Sequence, residues 1–335
     1  MLSDLLPRST HSADKLTFIS EDDVASLNLT ANECYEAMSA VFKAHGAKKT
    51  IALPATHLDI SAGKGFRSLC AAWPERGVAG NKWFGVRPAD AGKPGQGVQA
   101  LYILNDFLTG MPEAVISSNH LTGLRTAAMS MLVLNQLYPQ GPFNIGFIGC
   151  GLQAAMHLKM MNSFFKSISN ISCFSRSRKS SENLASIANG LGVQSEIAES
   201  YDQVISSSQV VITSVPLSDD LVPFLDPGLV RKGSSVIAVD LARSWQTESF
   251  KFFDLKMTDD HLQQSQLPPI SSTLGPLGTF DADLSDLVAG NIKKFDVQND
   301  RALFAFRGFS LADLAIANLI FTKSKELGAG TLVMR

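Results

Sequence analysis

A chain of 335 residues exceeds one minimal hydrophobic core and points to two domains. Apolar residues make up 45% and charged residues 18%, an ordinary globular composition that excludes intrinsic disorder. With 29 Lys and Arg against 31 Asp and Glu there is no basic field, which excludes nucleic acid and membrane surfaces as expected partners. The start, Met1 to Ser12, carries charges and no apolar stretch of signal-peptide length, and no uncharged apolar run approaches a membrane span. Cys34, Cys70, Cys150 and Cys173 are scattered without metal-ligand spacing and read as reduced thiols. A cytoplasmic protein is expected.

From Glu21 to Ala47, Val24, Leu27, Leu29, Cys34, Met38, Val41 and Phe42 recur at helical spacing, with Thr30 or Asn32 placed to cap the second segment. Ile51–Ile60, Phe66–Ala72, Lys82–Val86 and Val98–Leu104 alternate as strands without intervening helices, which predicts an antiparallel sheet. The Pro- and Gly-rich stretch Arg87 to Gly95 predicts a long hairpin or a lid. A helix is predicted from Ser118 to about Leu137, stopped by Pro139 and Gly141. The pattern then changes to short buried runs at Phe143–Ile148, Ile171–Phe174, Val210–Thr213 and Val236–Val239, separated by helical segments, as in parallel βαβ units. A run at Leu303–Phe306 and a helix from about Leu311 to Leu327 close the chain. The fold class expected is α/β, a Rossmann-type doubly wound parallel sheet (126–302) plus a second α+β substrate and dimerisation domain (1–125 and 303–335).

The run Asn144-Ile145-Gly146-Phe147-Ile148 leads into Gly149-Cys150-Gly151-Leu152-Gln153-Ala154, a Gly-x-Gly-x-x-Ala turn between strand and helix. Gly149 permits the tight turn, Gly151 lets backbone N–H groups approach a diphosphate, and the helix end at Leu152 and Gln153 adds partial positive charge. Ser214 and Val215, after a neighbouring strand, are expected to border the same dinucleotide. After Phe174, where a carboxylate would select NAD, the chain reads Ser175-Arg176-Ser177-Arg178-Lys179-Ser180. Cationic and hydroxyl donors there suit a 2′-phosphate, so NADP(H) is favoured over NAD(H).

Leu121-Thr122-Gly123-Leu124-Arg125-Thr126-Ala127-Ala128, Gly80 to Gly85, Leu104 to Ala114, the glycine turn and Gly328-Ala329-Gly330-Thr331 together resemble the ornithine cyclodeaminase/μ-crystallin family over residues 20 to 333. Lys82-Trp83-Phe84-Gly85 and Arg67 are most similar to its N-(2-amino-2-carboxyethyl)-L-glutamate dehydrogenase subgroup. The resemblance implies a homodimer whose first-domain sheet forms substrate site and subunit interface, with the last helix returning to it. It implies that Arg125 grips a substrate carboxylate, that Lys82 stands beside the reacting carbon, and that Arg125 and Thr126 lie near the nicotinamide phosphates. Asp313 matches a family acid at the nicotinamide end, and by itself is equally a first-turn carboxylate facing a helix dipole.

Two departures bear on the substrate. The early strand, Leu53-Pro54-Ala55-Thr56-His57, lacks the family's second carboxylate-binding arginine; either Arg67 on the following strand takes its place or the substrate is held differently. Cyclodeaminases carry an aspartate after the fourth parallel strand for the distal amine. Here Asp240 comes too early and Arg243 would repel an ammonium, which leans towards an acidic or neutral side chain. His57, His120 and His157 show no ligand spacing, and no metal is expected. Loops at 87–97 and 261–283 are expected to shape the pocket. The sequence therefore predicts an oxidoreductase at the C–N bond of a small amino or imino acid, formed where needed from a 2-oxo acid, with Lys82 and Asp313 catalytic and Arg67, Lys82 and Arg125 binding substrate. A cyclodeaminase-type lyase and a μ-crystallin-like ligand-binding protein are the alternatives.

Overall fold

The structure, a computed structural model, describes residues 15–61, 64–87, 97–216, 221–266 and 279–335. The charged start Met1 to Ser12, residues 88–96 of the expected lid and residues 267–278 of the second pocket loop lie outside them. Strand β1 (Lys15–Ile19) leads to helices α1 (Glu21–Ser26) and α2 (Ala31–Gly46). Of the two expected caps, Thr30 and Asn32, it is Thr30 that caps α2, its side chain accepting from Glu33 N while Glu33 closes the capping box.

Six strands follow: β2 (Ile51–Ala52), β3 (Thr56–Ser61), β4 (Lys64–Trp73), β5 (Val78–Arg87), β6 (Gly97–Asp106) and β7 (Pro112–Ser117). Among the described residues they join β1 and the final strand β15 (Thr331–Met334) in an eight-stranded sheet, ordered β15-β1-β7-β6-β5-β4-β2 with β3 on β4. The sheet is mixed rather than purely antiparallel, because β1 runs parallel to β7. Its two faces differ as the alternation requires. Leu69, Lys82, Tyr102, Leu104, Ala114 and Ile116 are buried on one face, whereas Phe66, Trp83, Leu101 and Ile103 are exposed on the other.

Helix α3 (Ser118–Leu137), found at its predicted bounds, connects to the second sheet. There β8 (Asn144–Ile148), α4 (Leu152–Phe164), β9 (Asn170–Phe174), α5 (Arg178–Gly190), β10 (Gln194–Ile197), α6 (Tyr201–Ser207), β11 (Val210–Thr213) and β12 (Ser235–Ala238) alternate as expected. After β13 (Leu255–Met257) come α7 (His261–Gln266), part of a predicted loop, α8 (Leu284–Ala289), β14 (Ala302–Ala305) and α9 (Ser310–Leu327). The order β10-β9-β8-β11-β12-β14-β13 is parallel throughout its seven strands. The α/β class with a doubly wound sheet and a second domain is thus present.

One expected boundary moves. Residues 302–305 pair with β12 and β13 inside the parallel sheet, so the run at Leu303–Phe306 does not belong to the first domain. The reason is register: Ser235 to Ala238 and Leu255 to Met257 leave one slot between them, which only an apolar strand buried on both faces fills. Helix α9 does return, packing on α2, α3, β4, β5 and β6.

Helix α3 is buried along nearly its whole length and touches α2, α4, α8 and α9. Its first turn lacks a side-chain cap from Ser117. Instead Glu21, the first residue of α1, accepts from Asn119 N at 2.8 Å and His120 N at 2.9 Å. A carboxylate there satisfies orphan donors and meets the positive end of the helix dipole. Glu21→Ala should lower the unfolding free energy by about 1–2 kcal/mol in urea titrations. Glu21→Gln should fall between variant and wild type, and an unchanged midpoint in the alanine variant would remove this cap from the account.

Candidate active site

The parallel sheet reverses its winding between β8 and β11, and ligands of such sheets sit at the carboxyl ends of the strands beside that point. Gly149 follows β8 there with φ of +85°, and a Cβ on it would stand 2.6 Å from the carbonyl oxygen of Ser214 after β11. Glycine is required on both counts. Ser214 Oγ donates back to Gly149 O at 2.9 Å, which ties the two strand ends together, and Val215 N donates to Asp240. At Gly151, which precedes α4, an added Cβ would meet nothing within 4 Å. The free backbone approach at Gly151 and the N-terminus of α4, with Leu152 and Gln153 in its first turn, fit the diphosphate of a dinucleotide.

Ser175, Arg176, Ser177 and Arg178 follow β9, on the next strand over from β8. Arg176, Ser177 and Arg178 are exposed, and Arg178 makes a 3.5 Å pair with Glu182 one turn along α5. Such a pair is worth only a few tenths of a kcal/mol and does little to fix the Arg178 side chain. Thr126 is buried in α3, where its hydroxyl donates to Thr122 O.

Three of the predicted catalytic and substrate-binding residues converge from three elements. Lys82 lies on the buried face of β5, Arg125 on α3 and Asp313 in the first turn of α9. Lys82 Nζ donates to Asp313 Oδ1 at 3.0 Å and to Thr122 Oγ1 at 2.6 Å, and stands 5.4 Å from the centre of the Phe84 ring. Arg125 Nε lies 3.5 Å from the same Asp313 oxygen. Lys82, Arg125 and Asp313 are 2%, 8% and 0% exposed, so these charges interact in a dry setting. Burial pushes the Lys82 ammonium below its ordinary value, Asp313 opposes this, and Arg125 adds to it. Arg125 Nε and Nη1 and Asp313 Oδ2 make no hydrogen bond among the described residues. A guanidinium with two unused donors beside a partly deprotonable amine is equipped to take a carboxylate and to hand over a proton.

Arg67 is not brought into this cluster. It projects from the same sheet face as Lys82, two residues along β4 from the Leu69 that pairs with Lys82. Its guanidinium is held by Asp59 at 2.7 Å and by Phe66 O at 2.9 Å. Asp240 is likewise committed: it accepts from Thr213 Oγ1 at 2.9 Å and Ser244 Oγ at 2.7 Å, within a turn where Leu241 and Ala242 both have positive φ. His157 is a satisfied core histidine, bonded to Ser130 Oγ and Gln153 O, and burial lowers its pKa to about 4. His261, Asp283 and Asp286 offer ligand atoms within 4.8 Å of one another, but both carboxylates already close the capping box of α8.

Two contributors escaped the sequence. Thr122 stands one turn before Arg125 inside a quoted motif, and only its bond to Lys82 gives it a role. Asp259, just after β13, is 1% exposed and accepts from Gly308 N at 2.7 Å. Burial pushes its carboxyl up to about 6. No spacing or motif links residues 259 and 308.

Known proteins share this architecture. The chain is 24% identical over 324 residues to an alanine dehydrogenase of Archaeoglobus fulgidus, covering 94% of this chain and 97% of that one. It is 25% identical over 268 residues to an N-((2S)-2-amino-2-carboxyethyl)-L-glutamate dehydrogenase of Staphylococcus aureus, covering 77% and 78%. Near-equal identity to differently named enzymes singles out no subgroup. The Δ1-pyrroline-2-carboxylate reductase of Thermococcus litoralis, solved with NADH and L-proline, superposes with a TM-score of 0.85 at 21% identity, over 94% of this chain and 99% of that one. A sequence profile of the ornithine cyclodeaminase/mu-crystallin family matches residues 15–327, and the chain belongs to that family.

Proposed function

We propose that the protein is an NADPH-dependent oxidoreductase that interconverts a small imino acid and the corresponding amino acid at the C–N bond. The observation that carries this is the buried trio in which Arg125 keeps two unused donors beside the Lys82–Asp313 pair. Relatives named as dehydrogenases and reductases of amino and imino acids agree with it. When bound, the nicotinamide supplies or accepts the hydride. Arg125 holds the substrate carboxylate and so fixes which carbon faces the ring. Lys82, its pKa lowered, gives a proton to the nitrogen during reduction and takes it back during oxidation. Asp313 and Thr122 keep the Lys82 ammonium aimed.

Phosphate selectivity belongs to Ser175, Arg176, Ser177 and Arg178, with no carboxylate in that turn to favour NAD. Arg67, already held by Asp59 and Phe66 O, is left out of α-carboxylate binding in this reading. A cyclodeaminase needs a carboxylate available to a distal amine, and Asp240 commits both of its oxygens to Thr213, Ser244 and Val215. The exposed face of the mixed sheet, with Phe66, Trp83 and Leu101 around a cavity of about 710 Å³, suits a second copy of the chain. None of the described helices is long and apolar enough to cross a membrane.

Loss of the reduced-nicotinamide absorbance, followed with NADPH and NADH separately on cyclic ketimines and on 2-oxo acid plus amine mixtures, tests the activity. Turnover with NADPH is expected, and none with any mixture would refute it. Lys82→Ala should reduce kcat by about 10²–10⁴-fold while NADPH fluorescence titrations stay unchanged; retained turnover would remove Lys82 from the chemistry. Because reduction uses the protonated amine, kcat should fall as pH rises through a midpoint below 10.5, the ordinary lysine value. Arg176→Ala should weaken NADPH binding about 10–100-fold and leave NADH binding as it was, and equal effects on both would refute phosphate recognition.

A further inference from the structure

Gly308, in the connection between β14 and α9, has φ of +92°. A Cβ built on it would lie 2.8 Å from Arg125 Nη2 and 2.9 Å from Nη1. The bare backbone of Gly308 is therefore one wall of the slot that contains the guanidinium. That wall is fastened from behind. Asp259 Oδ2 accepts from Gly308 N at 2.7 Å, and Gln263 Nε2 donates to Gly308 O at 3.3 Å. Both fastening residues come from the β13–α7 segment and are 1% exposed.

We propose that Asp259 is a positioning residue: by holding the Gly308 N–H it sets the wall against which Arg125 lies, and so the direction from which Arg125 meets a substrate carboxylate. This rests on Arg125 being the carboxylate anchor. A charge-assisted bond at a buried site is strong, and an aspartate buried this deeply is costly unless something depends on it. Guanidinium recognition of a carboxylate is directional, because two parallel bonds form only when the planes align. A wall that shifts by a few tenths of an ångström therefore costs carboxylate affinity before it costs the fold. Dinucleotide binding at Gly149 and Gly151 does not involve this wall.

The test compares pyrrole-2-carboxylate with pyrrole-2-carboxamide, each titrated calorimetrically into the NADPH-loaded full chain. Wild type is expected to prefer the carboxylate, and no preference would refute the anchor role of Arg125 and this inference with it. Given that preference, Asp259→Ala should weaken carboxylate binding about 10–100-fold with little change for the carboxamide or for NADPH. In turnover, KM should rise while kcat stays close to wild type. Asp259→Asn keeps an oxygen that can accept from Gly308 N and should restore most of the affinity. Carboxylate binding by Asp259→Ala equal to wild type overturns the proposal, and so does an asparagine variant as weak as the alanine one. Should Asp259→Ala fail to fold in thermal melts, Gly308→Ala decides: its methyl displaces the guanidinium with Asp259 intact, and unchanged discrimination between the two probes would overturn the proposal.

Discussion

Two cations share one buried carboxylate, and much of the molecule is arranged to make that tolerable. Lys82 and Arg125 both face Asp313 Oδ1, leaving one more positive charge than negative in the first ring of contacts. In a dry interior this is costly for a lone chain and favourable once an anion arrives. The helix dipole at the start of α9 steadies Asp313, Thr122 accepts a hydrogen bond from the lysine ammonium, and Asp259 stands behind the next layer. Under the proposed function that cost becomes the means of recognition, since a substrate carboxylate would complete the charge balance.

Holding such a trio demands backbone that cannot drift. Arg125 is carried by a helix that belongs to the cores of both sheets, and Glu21 pins that helix from the first domain. Lys82 comes from a strand bonded on both sides, to β4 and β6. Gly308 closes the slot with bare backbone. Rigid elements place each charge, and the strand ends of the parallel sheet supply the cofactor edge.

Local signals carried a great deal. The bounds of α3 followed from a helical period between Ser118 and the Pro139 stop, and Thr30 was legible because a capping box spans only four residues. The glycine turn was legible because tight turn, diphosphate approach and helix start are all consecutive. What depended on tertiary register was not. The strand at Ala302–Ala305 is an apolar run like any other, and its place between β12 and β13 is set by partners far away in sequence. Arg67 was grouped with the carboxylate-binding residues by type, yet its guanidinium turns to Asp59 on the adjoining hairpin strand. Asp259 and Gly308 were silent because a single contact across 49 positions leaves no periodic trace.

The same contacts set an order of events in time. Lys82 and Asp313 are 231 positions apart, and α9 is the last of the described helices. During synthesis the parallel sheet and strands β1 to β7 can gather while Lys82 and Arg125 still lack their common counter-ion. Loop closure over so long a separation comes late, after local and neighbouring contacts have formed. The charged centre is thus completed only when α9 docks, and a chain that has formed the parallel sheet without α9 holds Lys82 and Arg125 with no shared carboxylate.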